Sequence, residues 1–242
     1  MNDRIRAVLR KEFREYRRNK LVVITMAVLP IVFLVLPIVA VLSLPPTASL
    51  GAVNAIVGQS SLFFLLVPLI LPTTIAAYTV IGEREQGTLE PVLTTPATDR
   101  EILVAKALAA ILPAIVLAWL LFALFQLIAR LGGNRLVIDR ISRPEEFAAQ
   151  IALVPVLAVF AIWVGMAISA RSTDIRVAQQ LSGLATLPAV GLVALVSYGV
   201  ITPGVSSDVG VALILAAIDV VGWRATVRLF DRERLLTRFG GA

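Results

Sequence analysis

The chain has 242 residues, of which 58% are hydrophobic and only 16% are charged. Soluble domains carry about 25% charged residues, so this composition excludes an ordinary soluble fold and predicts one polytopic, all-α membrane domain. Cysteine and histidine are absent, which excludes disulfides, thiolate nucleophiles, the usual zinc sites and a histidine proton shuttle.

The first 20 residues form a basic arm whose apolar side chains recur at helical spacing. These are Ile5, Val8, Leu9, Phe13 and Tyr16. The pattern predicts an amphipathic helix over residues 1–20 that lies in the membrane interface, with its cations near anionic lipid headgroups. The alternative is a cluster of cations that only sets the topology. The apolar stretch that follows is too long for a cleaved signal peptide, so we expect it to remain as a signal anchor.

Six stretches are long and apolar enough to cross a bilayer, which takes about 20 residues. The predicted spans are Leu21–Leu44, Ser61–Ile81, Ile102–Ala129, Phe147–Ala170, Ala178–Val200 and Val209–Phe230. Together they make a transmembrane domain over residues 21–230, followed by a basic tail over 231–242. Prolines inside the spans indicate kinks that shape packing, or hinges for gating.

Two helix starts have the sequence of a capping box, in which a Ser or Thr is followed three residues later by Glu. Thr98-Asp99-Arg100-Glu101 precedes the third span and Ser142-Arg143-Pro144-Glu145 precedes the fourth.

The positions of lysine and arginine predict the orientation. Most of them lie in the arm, in the segments after spans two and four, and in the tail. The cations of the other side are Arg130, Arg135, Arg140 and Arg143. We therefore expect both termini in the cytoplasm, and this topology explains the net charge of +6 without nucleic acid as a partner.

Residues 83–101 form a polar, mostly acidic segment between spans two and three. Within it, Thr88 can cap a short helix that has Pro91 in its first turn, and Leu89, Val92 and Leu93 would form a small apolar surface. Gly87 permits a turn before this helix and Pro96 ends it. Such a helix suits docking into a groove of a cytoplasmic partner; the alternative is a solvated loop.

The segment also resembles the signature of ABC-2-type transporter permeases, membrane subunits of ABC exporters. The similarity is carried by the run from Glu83 through Gly87, Thr88, Leu89, Glu90, Pro91, Val92 and Leu93 to Pro96, by Asp99–Leu103 with Lys106, and by the start of span five at Ala178–Gly183. Val92 stands where the family often has leucine.

This resemblance implies that two permease subunits pair in the membrane and rest on separate cytoplasmic ATPase subunits. ATP and Mg²⁺ would be bound by the ATPase, and no cofactor by this chain. Residues 83–101 would be the coupling segment that contacts the ATPase. The loop with Arg171, Asp174 and Arg176 would be a second cytoplasmic contact.

Ionisable and polar residues inside spans are expected to be paired or functional. Lys106, Gln126 and Asp219 are the candidates. We expect Asp219 to meet Lys106 or Arg224, and neutralisation of Asp219 to disturb assembly or gating. Gln126 either bonds between helices or lines a path. Trp119, Trp163 and Trp223 are expected to anchor spans at headgroup level.

Catalysis is not expected of this chain. It lacks a Gly-x-Ser-x-Gly motif, and none of its lysines follows a glycine, which excludes a phosphate-binding loop of the Gly-x-x-x-x-Gly-Lys type. The sequence therefore predicts the permease subunit of an exporter in a prokaryotic plasma membrane, with a sparsely charged interior compatible with a lipophilic or amphipathic substrate. The alternatives are a carrier or channel that uses no ATPase, and a structural membrane subunit.

Overall fold

The computed structural model describes residues 3–18, 20–77, 98–202 and 204–229. All regular structure in these ranges is helical. The helices, in chain order, are α1 (Asp3–Arg18), α2 (Lys20–Leu42), α3 (Leu50–Ala77), α4 (Asp99–Gly132), α5 (Arg135–Ile141), α6 (Pro144–Ser169), α7 (Ile175–Ser197) and α8 (Val205–Leu229).

Five of the helices in the described ranges, α3, α4, α6, α7 and α8, are long and apolar enough to cross a membrane. Helix α2 contains a shorter apolar stretch, Met26–Leu42. The all-α, multi-pass membrane fold is confirmed. The count of six spans and the cytoplasmic position of the termini stay predictions. The helices continue through their internal prolines, as at Pro68 and Pro72 in α3.

Helix α3 begins well before the span predicted at Ser61–Ile81. Its first turns carry small and polar residues such as Gly51, Asn54 and Gly58, which lower the hydropathy of that stretch. Gly51 and Asn54 are exposed, whereas Val53 and Val57 on the other side of these turns are buried. The helix starts early because the Ser49 hydroxyl accepts a hydrogen bond from the Ala52 N–H at 3.2 Å and because this side packs on the core.

The core lies where α3 meets α4 and α6. Phe64 of α3 is completely buried, and its ring lies 6.0 Å from that of Phe122 and 5.1 Å from that of Phe125 in α4. At the other end of α3, a Cβ on Gly165 of α6 would come within 2.5 Å of the Cβ of Ala76. A glycine at this position is what lets α3 and α6 approach so closely.

One of the two predicted capping boxes is confirmed. The Thr98 hydroxyl accepts a hydrogen bond from the Glu101 backbone N–H at 3.3 Å, and the Glu101 carboxylate accepts one from the Thr98 N–H at 2.8 Å. The second prediction is wrong. Helix α6 starts at Pro144 with Arg143 as its N-cap and no side-chain cap, while Ser142 is the C-cap of α5. The short helix α5 therefore ends at Ser142, the residue that the motif predicted as the N-cap of the next helix.

Candidate functional site

The contact between α1 and the beginning of α4 contains the most deeply buried ion pair of the described residues. Lys106 Nζ donates to Glu12 Oε1 at 2.9 Å, and the two side chains are only 4% and 6% exposed. We call Glu12 and Lys106, together with Arg4 and Glu101, the α1–α4 junction. Lys106 lies in the second turn of the α4 helix, so the pair is close to the point where residues 83–101 lead into that helix.

Helical periodicity places Glu12 on the buried side of α1. Ile5, Leu9, Glu12 and Tyr16 share one stripe of the helix, so the carboxylate projects from an otherwise apolar face. Tyr16 packs against a cluster of buried residues that includes Leu103 and Ala107 of α4, and its ring makes an edge contact with that of Phe13, with centroids 6.4 Å apart. The amphipathic helix predicted for the arm is therefore present. Its apolar side is used in part to cover α4.

The electrostatics of Glu12 are those of an ionised group. Burial by itself raises the pKa of Glu12, but the charges of Lys106 and Lys11 and their hydrogen bonds outweigh burial, so the pKa lies below its ordinary value of 4.5. Lys11 Nζ is 3.3 Å from the same carboxylate oxygen and 2.9 Å from Glu15 Oε2. Glu12 is thus charged at neutral pH and holds two cations.

A second contact of the junction lies at the N-terminus of α4. Arg4 Nη1 is 3.7 Å from Glu101 Oε2, the same oxygen that accepts from Thr98. The Arg4 side chain is 53% exposed, so this contact is screened by water and weak compared with the buried pair. It nevertheless brings the first turn of α1 to the first turn of α4.

Most of the predicted coupling segment lies outside the described residues. This applies to the residues predicted to contact an ATPase, namely Glu83, Gly87, Thr88, Leu89, Glu90, Pro91, Val92, Leu93 and Pro96. Only the end of the segment, Thr98 to Glu101, is described, and it forms the cap and first turn of α4.

The loop predicted as a second cytoplasmic contact joins α6 to α7. Arg171, Asp174 and Arg176 are all exposed. The Asp174 carboxylate accepts hydrogen bonds from the backbone N–H groups of Arg176, at 2.6 Å, and Val177, at 3.2 Å, so Asp174 is the N-cap of α7. This helix-capping role could have been predicted from an Asp shortly before the fifth predicted span, but it was not.

Two predictions on the polar residues within spans are decided by the geometry. Gln126 donates from Nε2 to the Ile141 carbonyl at 2.9 Å, which fastens α5 to α4 and favours the interhelical alternative. The expected pairing of Asp219 with Lys106 or Arg224 is wrong. Lys106 pairs with Glu12, and Asp219 Oδ1 accepts a hydrogen bond from Trp163 Nε1 at 2.9 Å. The indole N–H of Trp163 is therefore used inside the bundle.

The sequence analysis missed Glu12, Trp163 as a partner for Asp219, and Gln150, which donates to the Ser61 carbonyl at 3.2 Å. A signal for Glu12 was available, because it is the acidic residue on the apolar stripe of α1 and Lys106 is a cation that needs an anion. Nothing in the spacing of Trp163 and Asp219, on α6 and α8, indicates that they meet.

The family assignment follows from comparison with known proteins. No curated protein matches the chain. Residues 3–203, which include α1 through α7, match the ABC-2 type transporter family. Members of this family are membrane components of transporters and are not themselves catalytic. The predicted family is confirmed: the chain belongs to the ABC-2 type transporter family.

Proposed function

We propose that this chain is the permease subunit of an ATP-binding cassette exporter, driven by separate ATPase subunits that dock on residues 83–101. In this proposal the permease works as a dimer, a homodimer or a heterodimer with a paralogue, in a prokaryotic plasma membrane. ATP and Mg²⁺ are bound by the ATPase. Export is proposed by analogy with the ABC exporters whose permeases the sequence resembles.

The observation that supports coupling is the buried pair of Glu12 and Lys106. Residues 83–101 lead directly into α4, and the capping box gives this helix a defined start at Thr98. The junction then attaches α1 to the second turn of α4. A displacement of the segment by an ATPase would move α4 and α1 together, because separating the two helices would break the buried ion pair of Glu12 and Lys106.

Helix α1 extends the path to the next membrane helix. It ends at Arg18 and α2 begins at Lys20, so little chain separates them. A movement of α4 would therefore be transmitted along two routes. One runs through the junction and α1 to α2, and the other runs through the core to α3. A few contacts at one end would then reorient several helices, which is the task of a permease that has no catalytic site of its own.

Co-purification tests the ATPase partner. The tagged chain is isolated from native membranes, and the eluate is assayed for ATP hydrolysis and for a second polypeptide. We expect both with the wild-type chain, and both lost when Leu89, Glu90 and Leu93 are changed together to alanine. The matched control changes Leu131, Arg135 and Asp139, which are all exposed at the other end of α4 and in α5. An eluate without ATPase activity, or equal activity in the two triple variants, would contradict the proposal.

Coupling itself is tested with Lys106→Met. We expect the ATPase still to bind this variant, because residues 83–97 are unchanged, while ATP-dependent transport into inside-out vesicles falls. Loss of transport with retained ATP hydrolysis separates the junction from the docking segment. If Lys106→Met transported at the wild-type rate, the path through α1 would be refuted.

A further inference from the structure

A cavity of about 400 Å³, open on one side to the surroundings of the bundle, lies between α6 and α8, and its volume is within the usual range of small-molecule sites. Its α6 wall is apolar and consists of Pro155, Val156 and Val159. Its α8 wall contains Ala216, Asp219, Val220, Trp223 and Arg224. An apolar body would find contacts on both sides, and one carboxylate is available to it.

Asp219 is the unusual member of this lining. It is only 5% exposed, and it lies in a helix that is long and apolar enough to cross a membrane. A carboxylate at such a position is costly unless a cation or several donors satisfy it. Its recorded hydrogen bond comes from a neutral donor, Trp163, and no cation of the described residues forms an ion pair with it. The carboxylate therefore has capacity for a positively charged partner.

The surroundings hold this carboxylate in place. A Cβ on Gly222 would come within 2.4 Å of the Trp163 ring, so the glycine allows the ring to lie directly against α8. Phe160 contacts the same ring edge-on with centroids 5.3 Å apart, and the Thr226 hydroxyl donates to the Trp163 carbonyl at 3.3 Å. Trp163 is thus fixed, and through its N–H it fixes the Asp219 side chain.

Charge and aromatic character favour an organic cation. Arg224 also lines the cavity, but it is exposed, lies five residues further along α8 and forms no ion pair with Asp219 among the described residues, so Asp219 is the buried charge of this lining. The interior therefore contributes one negative charge. Trp223 adds an aromatic ring, which provides apolar surface and can also attract an ammonium group to its face.

We propose that the cavity between α6 and α8 binds lipophilic amines, meaning amphiphilic molecules with one cationic nitrogen and an apolar body, and that Asp219 holds the ammonium group. The apolar body lies against Pro155, Val156 and Val159. The family match ends at residue 203, before α8 begins at Val205, so the match does not extend to the helix that carries Asp219.

The test measures binding to the whole chain in nanodiscs of phosphatidylcholine, with no nucleotide and no ATPase. Its outcome is therefore independent of the proposed coupling. The probes are 4-phenylbutylamine and 4-phenylbutanol, which differ in the ammonium group, and equilibrium dialysis against empty nanodiscs corrects for partition into lipid. We expect saturable binding of the amine and affinity weaker by about tenfold or more for the alcohol, since hydrogen bonds to charged groups contribute that much.

Asp219→Asn retains an oxygen that can accept from Trp163 but removes the charge. We expect it to reduce the affinity for the amine to that of the alcohol. The matched control is Asp208→Asn, because Asp208 is a buried carboxylate at the start of the same helix and does not line the cavity. This variant should bind like the wild type.

A second variant keeps the proposal falsifiable if Asp219→Asn folds poorly. Ala216→Leu fills part of the cavity without changing the carboxylate, and it should abolish binding of the amine. Equal binding of amine and alcohol by the wild type would mean that Asp219 does not hold the ammonium group and would overturn the proposal. Full amine binding by Ala216→Leu would also overturn it, because the site would then lie elsewhere.

Discussion

Two buried ion pairs lie near opposite ends of α4 and differ in what they connect. Glu12 and Lys106 are 94 residues apart in the sequence, whereas Arg140 and Glu146 are six apart, across the turn between α5 and α6. The chain itself keeps Arg140 near Glu146. Only tertiary contacts bring Glu12 to Lys106, so the distant pair depends on the packing of α1 against α4 and adds to it.

The environments of the two pairs also differ. Near Arg140, two hydrogen bonds also stabilise the position of α5. Arg140 Nε donates to Asn54 Oδ1 at 3.2 Å, and Gln126 Nε2 donates to the Ile141 carbonyl at the end of α5. At the α1–α4 junction the supporting contacts are other charges, from Lys11 and Arg4. The α5 end is therefore expected to tolerate the loss of one partner better than the junction.

The largest expected effect is that of Lys106→Met. In this variant the buried Glu12 carboxylate keeps its ion pair with Lys11 but loses that with Lys106. Removing one partner of a buried ion pair costs about 3–5 kcal/mol. Thermal unfolding in detergent measures the loss of stability. Docking of α1 is measured in an Arg4→Cys/Glu101→Cys background with a flexible thiol-specific cross-linker, because the two native side chains meet only at their tips and a direct disulfide needs Cα atoms within about 7 Å. The chain has no native cysteine that would react.

The control for this effect is Glu12→Met/Lys106→Met. Replacing both partners by apolar residues of similar size removes the unpaired charge, so the double variant should recover most of the stability. A double variant as unstable as Lys106→Met alone would show that the pair is not the source of the effect.

Arg140→Met should have a smaller effect, about 2–3 kcal/mol, because Glu146 lies in the first turn of α6, where the helix dipole stabilises a carboxylate. Cross-linking between positions 4 and 101 should remain at the wild-type level, since the change is at the other end of α4. Reduced cross-linking would mean that the two ends are not independent.

Thr98→Ala should destabilise by about 1 kcal/mol through loss of the capping box at the start of α4. Thr98→Ser keeps the hydroxyl and is the control. Because the Glu101 N–H loses its acceptor in this variant, we also expect hydrogen exchange in the first turn of α4 to become faster. Unchanged exchange would argue that the cap does not define this start.

Arg4→Ala should cost no more than about 0.5 kcal/mol, because its contact with Glu101 is long and exposed to water. Unfolding midpoints of this variant and of Arg6→Ala, another exposed arginine of α1, should be similar. A loss comparable with that of Lys106→Met would refute the ranking of contacts at the junction.

Between pH 8 and pH 5 the junction should show no pH dependence from Glu12. The pKa of Glu12 is lowered in the folded state, so its contribution to stability is complete above the ordinary value of 4.5 and is lost as the pH falls through the lower folded value. Unfolding midpoints of the wild type and of Glu12→Gln, compared from pH 8 to pH 3, should converge only at the acid end. Convergence near pH 6 would contradict this sign.

Sequence patterns were sufficient wherever the deciding interaction is local or set by solvent. The amphipathic stripe of α1 predicts its helix, the apolar runs predict the membrane helices, and Thr98 with Glu101 predicts the start of α4, because each depends on residues within a few positions. They failed at Ser142, where an intervening short helix changed the role of the same motif.

Which polar groups meet was decided by the tertiary structure alone. The sequence marked Lys106 and Asp219 as groups that need partners, since burial of a charge in an apolar helix is costly wherever it occurs. It did not identify Glu12 or Trp163 as those partners. From the sequence alone, Lys106 and Arg224 were equally suitable partners for Asp219. The rotation and register of packed helices make that choice, and they follow from close approaches such as that of Gly222 to Trp163.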